Sequence, residues 1–372
     1  MSDEEVIYPP IKTGKEVFNY VNLYDIAEDQ LVMHSTVIYG ESGDGKSYIT
    51  NTLLDALSPY INILHIFCPT AKIDTKFPMW KYTSPAFVHE TLDMQCIRNI
   101  MKRCAQEREM LNTIMIPSVM SNSVKGFILP LYKTNGKDEL YDRALVAFRR
   151  IKKIERRFDR DDATLDEREE HDTMLVGMYK TLMYQCKRYL RETRTSIPSE
   201  YKELSLPVLF YDLKPCDIIM TNDFGDCLDS LKKDDAITAS NLVTKERHFG
   251  ITTIHLVQDL THIKKSDRRQ IKVNIFLSPG SITSYISTLG VKGRLKSQLE
   301  AASEHVLSAD KYQSKRKFPA VIYLKQSNIV GYTYADSKLE LNQKGNVRLY
   351  KKLEPLLAKQ MINNPLMDIF AK

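Results

Sequence analysis

The chain has 372 residues, 53 Lys and Arg against 47 Asp and Glu, and a hydrophobic share of 43%. That is material for one large domain or two ordinary ones, and it excludes a chain that is disordered overall. No apolar run approaches the ~18 residues of a membrane span, and the acidic start MSDEEVIYPP lacks an apolar signal stretch. The expectation is an intracellular protein, neither secreted nor membrane-bound.

Residues 1–30 are polar with turn signals at Pro9, Pro10 and Gly14, and read as an N-terminal arm. LVMHSTVIYG then forms an apolar, β-branched run that stops at a glycine-rich turn. Helical periodicity follows from Lys46 to Leu57, through Ile49, Leu53 and Leu54, until Pro59 ends it. INILHIFCPT is a second short strand. Strand, glycine loop, helix and strand open a βαβ unit, which predicts an α/β domain with a mostly parallel sheet.

Residues 137–195 have a different texture, with 15 basic and 13 acidic residues and a single glycine, Gly177. Apolar residues recur there at helical spacing (Leu145, Phe148, Ile151, then Leu175, Met178, Leu182), which predicts an inserted helical hairpin. Strands resume at 208–211, 217–221, 250–257 and 273–277, with helix between 222 and 249 and again over 295–307. AVIYLKQSNIVGYTYA reads as two strands around QSN, and PLLAKQMINNPLMDIF as an amphipathic tail. The predicted organisation is an arm (1–30), an α/β domain (31–310) carrying the 137–195 insertion, and C-terminal strands with a tail (311–372). The six cysteines, Cys68, Cys96, Cys104, Cys186, Cys216 and Cys227, form no CxxC pair and read as reduced thiols.

Gly40-Glu41-Ser42-Gly43-Asp44-Gly45-Lys46-Ser47 matches G-x-x-x-x-G-K-[ST] between a predicted strand and a predicted helix. Glycines there permit a tight turn that aims backbone N–H groups at phosphate oxygens, and the helix N-terminus adds its dipole. Lys46 is expected to neutralise the β and γ phosphates of ATP and Ser47 to join the Mg²⁺ shell, with Tyr48 next along the same helix. The acidic partner that such a site requires has two candidates. Asp212 ends 208–211, and Asp223 follows the strand that ends Thr221-Asn222. Asp223 lies one helix before the strand tipped by Gln258, whose amide suits a γ-phosphate sensor, so Asp223 is favoured.

GESGDGKS, INILHIFCPT, PCDIIMTNDFGD, KERHFGITTIHLVQD and RRQIKVNIFLSP, in that order, resemble the viral DNA-packaging ATPases of the FtsK–HerA superfamily over roughly residues 30–290. The resemblance implies a P-loop NTPase of RecA-like fold, helices on both sheet faces, working as a homo-oligomeric ring. It implies translocation of double-stranded viral DNA into a preformed capsid through a capsid vertex or portal, in the virion or the cytoplasmic viral factory. It assigns phosphate-loop roles to Gly45, Lys46 and Ser47, the catalytic carboxylate to Asp223 and the sensor to Gln258. Asn222 stands where the family carries the first of two acids. An arginine acting in trans is expected at Arg268 or Arg269, with Arg247 as a second candidate. Residues 261–317 carry a net charge of +8, more than the whole chain's +6. Lys292, Arg294, Lys296, Lys315, Arg316 and Lys317 are therefore candidate contacts to duplex phosphates. A HerA-like helicase or pump, and a nucleotide-binding structural or regulatory subunit with weak hydrolysis, are the alternatives.

Overall fold

A computed structural model describes residues 8–114, 139–157, 164–192, 214–222, 231–258, 263–307, 318–335 and 342–346. Excepted are 15, 71–80, 85–86 and 215, and scattered positions between 117 and 128 are described in addition. The chain forms two compact units, one of Met1–Ala105 with Lys214–Met367 and one built chiefly from Gln106–Leu213.

In the first unit, β1 (Ile11–Thr13) and β2 (Glu16–Phe18) pair as a small hairpin. The main sheet holds β3 (Ser35–Tyr39), β4 (Ile61–Phe67), β5 (Val88–His89), β6 (Cys216–Asn222), β7 (Ile251–Val257), β8 (Val273–Phe276), β9 (Pro319–Leu324) and β10 (Ile329–Tyr334). Its order is β10-β9-β8-β3-β7-β6-β4-β5. The six strands from β8 to β5 are parallel, and β9 runs antiparallel to both its neighbours. β3, β4 and β7 are buried at every position. This is why their sequences read as continuous apolar or β-branched runs: both faces of a parallel sheet are covered.

Alternation along each strand then sorts side chains to two layers. Ile38 and Ile275 pack with Ile49, Leu53 and Leu54 of α1 (Lys46–Leu57) on one face. On the other face Val37, Tyr39 and Phe276 meet Ile282 and Leu299, which come from the helices Pro279–Leu289 and Gly293–Val306. Further along that second face Phe67, Ile219 and Ile251 meet Met94, Ile97 and Met101 of α2 (Met94–Ile114). Helices therefore cover both faces. Full burial of each such aliphatic side chain contributes about 1.5–3 kcal/mol.

The segment expected as a polar arm is part of this core. Phe18, Leu23 and Ala27 are each at most 1% exposed, and Tyr8, Tyr20, Tyr332 and Tyr334 form an aromatic cluster with ring centroids 4.0–6.4 Å apart. The two C-terminal strands likewise extend the main sheet, turning through Asn328 at φ 53°. The expected strand 208–211 and the amphipathic tail lie outside the described residues.

In the second unit, α3 (Glu139–Arg157) and α4 (Leu165–Glu192) pack together as the expected helical hairpin, through Phe148, Ile151, Leu175, Tyr179 and Leu182. The start of α4 is set by a capping box. Glu167 N donates to Thr164 Oγ1 at 3.3 Å, and Thr164 N donates back to Glu167 Oε2 at 2.9 Å. Tyr179 OH donates to Glu155 Oε2 at 2.7 Å across the pair.

Candidate functional site

The glycine-rich loop leaves the end of β3 and enters α1 with Gly45 as its N-cap at φ 95°. Gly43 is also left-handed, at φ 98°. A Cβ at Gly45 would lie 2.2 Å from Phe318 Cδ1, so this position excludes any larger residue on two grounds, backbone and space. Glu41 N donates to Asp44 Oδ2 at 2.7 Å, closing the loop upon itself. Lys46 Nζ donates to Gly40 O at 2.6 Å, which folds the ammonium back over the loop. The helix ladder begins with Tyr48 N donating to Gly45 O at 3.0 Å. The N–H groups ahead of it face out of the helix end, on the side of this ammonium, where a phosphate chain would lie.

Strand order brings the other predicted residues to the same edge. β7 lies between β3 and β6, and Gly40 N donates to Val257 O at 3.2 Å, tying the loop to the tip of β7. Gln258 follows directly and is exposed. Asn222 ends β6, two strands from β3, or about 10 Å at ordinary strand spacing. It is 7% exposed, and its Nδ2 donates to Cys68 Sγ at 3.3 Å, leaving Oδ1 as the acceptor side of the amide. Asp223, the next residue in sequence, and Asp212 both lie outside the described residues. Beneath this edge Thr221 Oγ1 and His255 Nδ1 are hydrogen-bonded at 2.8 Å. Burial lowers the His255 pKa to about 4, so its ring is neutral at pH 7.

The arginine candidates gather at the opposite end of the sheet. Arg247 precedes β7 and bonds His34 Nε2, with Gln326 Oε1 at 3.4 Å. Arg268 and Arg269 precede β8. Arg247 and Arg269 stand before the starts of β7 and β8, a strand's length of roughly 16 Å from the loop, whereas the buried Arg268 guanidinium acts electrostatically on Tyr39, the residue before Gly40. Arg268 is 5% exposed, and its Nε and Nη1 have no hydrogen-bond partner among the described residues. Arg269 and Arg247 are exposed. Of the basic candidates, Lys292, Arg294 and Lys296 are exposed, with Arg294 4.0 Å from Glu16 and Lys296 3.7 Å from Glu300. Lys315, Arg316 and Lys317 lie outside the described residues.

The loop fits a magnesium-bound triphosphate. Its two left-handed glycines leave backbone where a side chain would intrude, and Ser47 stands in the first turn of α1 beside Lys46. Among the described residues no group of three or more His, Cys, Asp and Glu is placed to hold a metal by itself. No helix is long and apolar enough to cross a membrane among those residues, and Cys68, Cys96, Cys104, Cys186 and Cys216 carry free thiols.

Sequence reasoning passed over three residues here. Leu277 lies 3.1 Å from where a Gly40 Cβ would be, and Phe318 crowds Gly45. His255 carries the bond that links the tips of β6 and β7. No local pattern marks Leu277 or Phe318, because each meets the loop only through sheet pairing. His255 was findable as a polar residue in an otherwise apolar strand.

No protein-family model matches the chain, and no curated protein does. Among solved structures, it is similar to the conjugation coupling protein TcpA of pCW3, in its monomer form with ATPγS. The identity is 11% and the TM-score 0.41, over 94% of this chain and 71% of that one. It is also similar to B204, the DNA-packaging ATPase from Sulfolobus turreted icosahedral virus, at 11% identity and TM-score 0.34 over 81% and 97% of the two chains. The B204 genome packaging NTPase of Sulfolobus turreted icosahedral virus 2, in complex with AMPPCP, gives 10% identity and TM-score 0.36 over 82% and 98%. These scores are low, and the fold assignment rests on the chain's own topology. A parallel sheet with the loop strand beside a polar-tipped strand, and that strand beside the one ending in Asn222, is a RecA-like P-loop NTPase with an inserted helical hairpin.

Proposed function

We propose that this protein is an ATP-driven motor of the FtsK–HerA kind that translocates double-stranded viral DNA into a preformed capsid. The observation that carries the reading is the GESGDGKS loop between β3 and α1, with the β7 tip bonded to its first glycine. In this reading Gly40 to Tyr48 hold ATP and Lys46 neutralises the phosphates. Ser47 and Asp223 hold Mg²⁺, with the Asn222 amide accepting from a metal-bound water. Asp223 polarises the attacking water and Gln258 senses the γ-phosphate. A neighbour in a ring supplies the arginine. Exposure favours Arg269 over the buried Arg268 for that task.

A second reading, a nucleotide-binding subunit with weak hydrolysis, is favoured by Asn222. Its amide brings no charge to the metal and donates to Cys68. Turnover with and without duplex DNA separates the two readings. The motor requires DNA-stimulated hydrolysis that Asp223→Asn removes. No hydrolysis above background would leave the binding subunit, and loss with Asp212→Asn alone would move the acid to Asp212.

Duplex binding should show the salt dependence of phosphate neutralisation by the basic surface. The Lys296–Glu300 pair is solvent-exposed and worth no more than about 1 kcal/mol, and Arg294 is itself exposed at 4.0 Å from the half-buried Glu16, so phosphates can compete for both cations. Substituting Lys292, Arg294 and Lys296 by glutamine is expected to weaken duplex binding evenly across sequences. The slope of log affinity against log salt should become shallower by about 0.9 for each phosphate that these side chains neutralise. An unchanged slope would place the duplex elsewhere.

A further inference from the structure

β9 runs antiparallel to β8, so its first residues arrive at the edge where the parallel strands end and the phosphate loop begins. Phe318, immediately before β9, uses that placement. Its side chain sits against Gly45 so closely that two ring carbons and the Phe318 Cβ lie within 3 Å of where a Gly45 Cβ would be. The same ring stacks on Tyr48, with centroids 4.3 Å apart and planes inclined by 27°. Tyr48 is one residue past Ser47 in the first turn of α1. Both rings are only partly buried, so an aromatic surface stays open beside a loop that is otherwise glycine, serine, carboxylate and lysine. A triphosphate seated on the loop carries its ribose and base out past the first turn of this helix, and a purine has the flat π-face that an aromatic pair accepts.

We propose that Phe318 and Tyr48 form the nucleobase platform of this site, so that the protein binds a nucleoside triphosphate through its base as well as its phosphates. The proposal rests on the phosphate-loop reading above and deepens it. Phe318 also links the base to β9, which pairs with β8 beside the loop strand β3.

The test compares Mg²⁺-ATP with Mg²⁺ and inorganic tripolyphosphate, which offers the phosphates without a base. Calorimetry is run on the full chain and on Phe318→Leu, Phe318→Ala and Tyr48→Leu. Phe318→Leu keeps apolar volume against Gly45 while removing the ring face, and thermal melts confirm that each variant folds. Loss of about tenfold or more in ATP affinity, with tripolyphosphate affinity unchanged, is the expected result. Phe318→Trp in a Trp80→Phe background, where the new indole is the sole tryptophan, should keep ATP affinity and be quenched by ATP but not by tripolyphosphate. Equal losses for both ligands, or none, would overturn the platform and leave Phe318 as an apolar staple between β9 and α1. Wild-type protein that binds neither ligand would overturn the phosphate-loop reading itself.

Discussion

Lys46→Ala is expected to lower ATP turnover at least about 100-fold and to leave the fold within about 1 kcal/mol of its original stability. The ammonium is the charge placed to meet the β and γ phosphates, and removing such a group costs two to three orders of magnitude in rate. Its bond to Gly40 O is one charged hydrogen bond at a half-buried position, so the fold loses little without it. Gly45→Ala is expected to differ, costing both nucleotide binding and about 2–4 kcal/mol of stability. The backbone at φ 95° disfavours any Cβ, and that Cβ would strike the Phe318 ring. The two costs separate in a double variant: Gly45→Ala with Phe318→Ala should regain the steric part and keep the backbone part. Denaturant melts and steady-state turnover of the variants check both statements. A stable Gly45→Ala protein with normal turnover would contradict the loop geometry.

The second large effect lies at the other end of β6. Asp217 is 1% exposed and accepts from Arg103, from Ile63 N at 3.1 Å and from Cys104 Sγ at 3.4 Å, with His65 Nε2 at 3.7 Å. Burial pushes its pKa up, but the Arg103 charge and the His65 and Ile63 contacts outweigh this and hold it below the ordinary carboxylate range. Arg103 is itself 4% exposed. Arg103→Met strands a buried carboxylate and is expected to cost about 3–5 kcal/mol at pH 7, with Arg103→Met/Asp217→Asn costing less than the single change. The single-variant cost should shrink toward pH 4, because the stranded carboxyl then takes a proton.

Acid sensitivity of the unchanged protein follows from two buried imidazoles. Burial lowers the pKa of His65 and of His255 to about 4, against 6.5 in the unfolded chain. Between those values the unfolded chain binds protons that the folded chain refuses, so stability rises with pH across the window and falls as pH drops from about 6.5 to 4. Asp217 adds its loss lower still, since its stabilisation is present above the unfolded value near 3.9 and disappears as pH falls through the folded one. Burial also lowers the pKa of His34 and His89, so chemical denaturation between pH 4 and 8 should show stability rising with pH in that window, with the slope reduced by about one proton in His255→Asn. A flat profile would mean that neither ring is sealed from solvent in the native state.

Several parts of this architecture were legible because each is written in contiguous residues. The phosphate loop needs glycines at fixed offsets before Lys-Ser, and α1 runs over the residues its periodicity predicts, ending before Pro59. β6, β7, β8 and the Gln326-Ser327-Asn328 turn carry short apolar runs bounded by polar or turn residues. In each case the signal is a contiguous run of residue types rather than a contact made across the fold.

Other features depended on which strands become neighbours. Residues 1–30 are polar on average, yet Phe18, Leu23 and Ala27 enter the core because β10 and α1 offer them an apolar surface. Arg268 and Arg269 are adjacent and chemically equal in sequence, and only packing buries one while leaving the other in solvent. Arg103 and Asp217 are far apart in the chain and become a pair once α2 lies across β6. Local spacing and composition were enough to specify the phosphate loop, the alternation of strand and helix and the charge of the 261–317 segment. They could not specify that Phe318 rests on Gly45, that His255 joins Thr221 or that Arg268 is withdrawn from solvent. Those contacts are created by sheet order and by antiparallel β9, and no local periodicity carries that information.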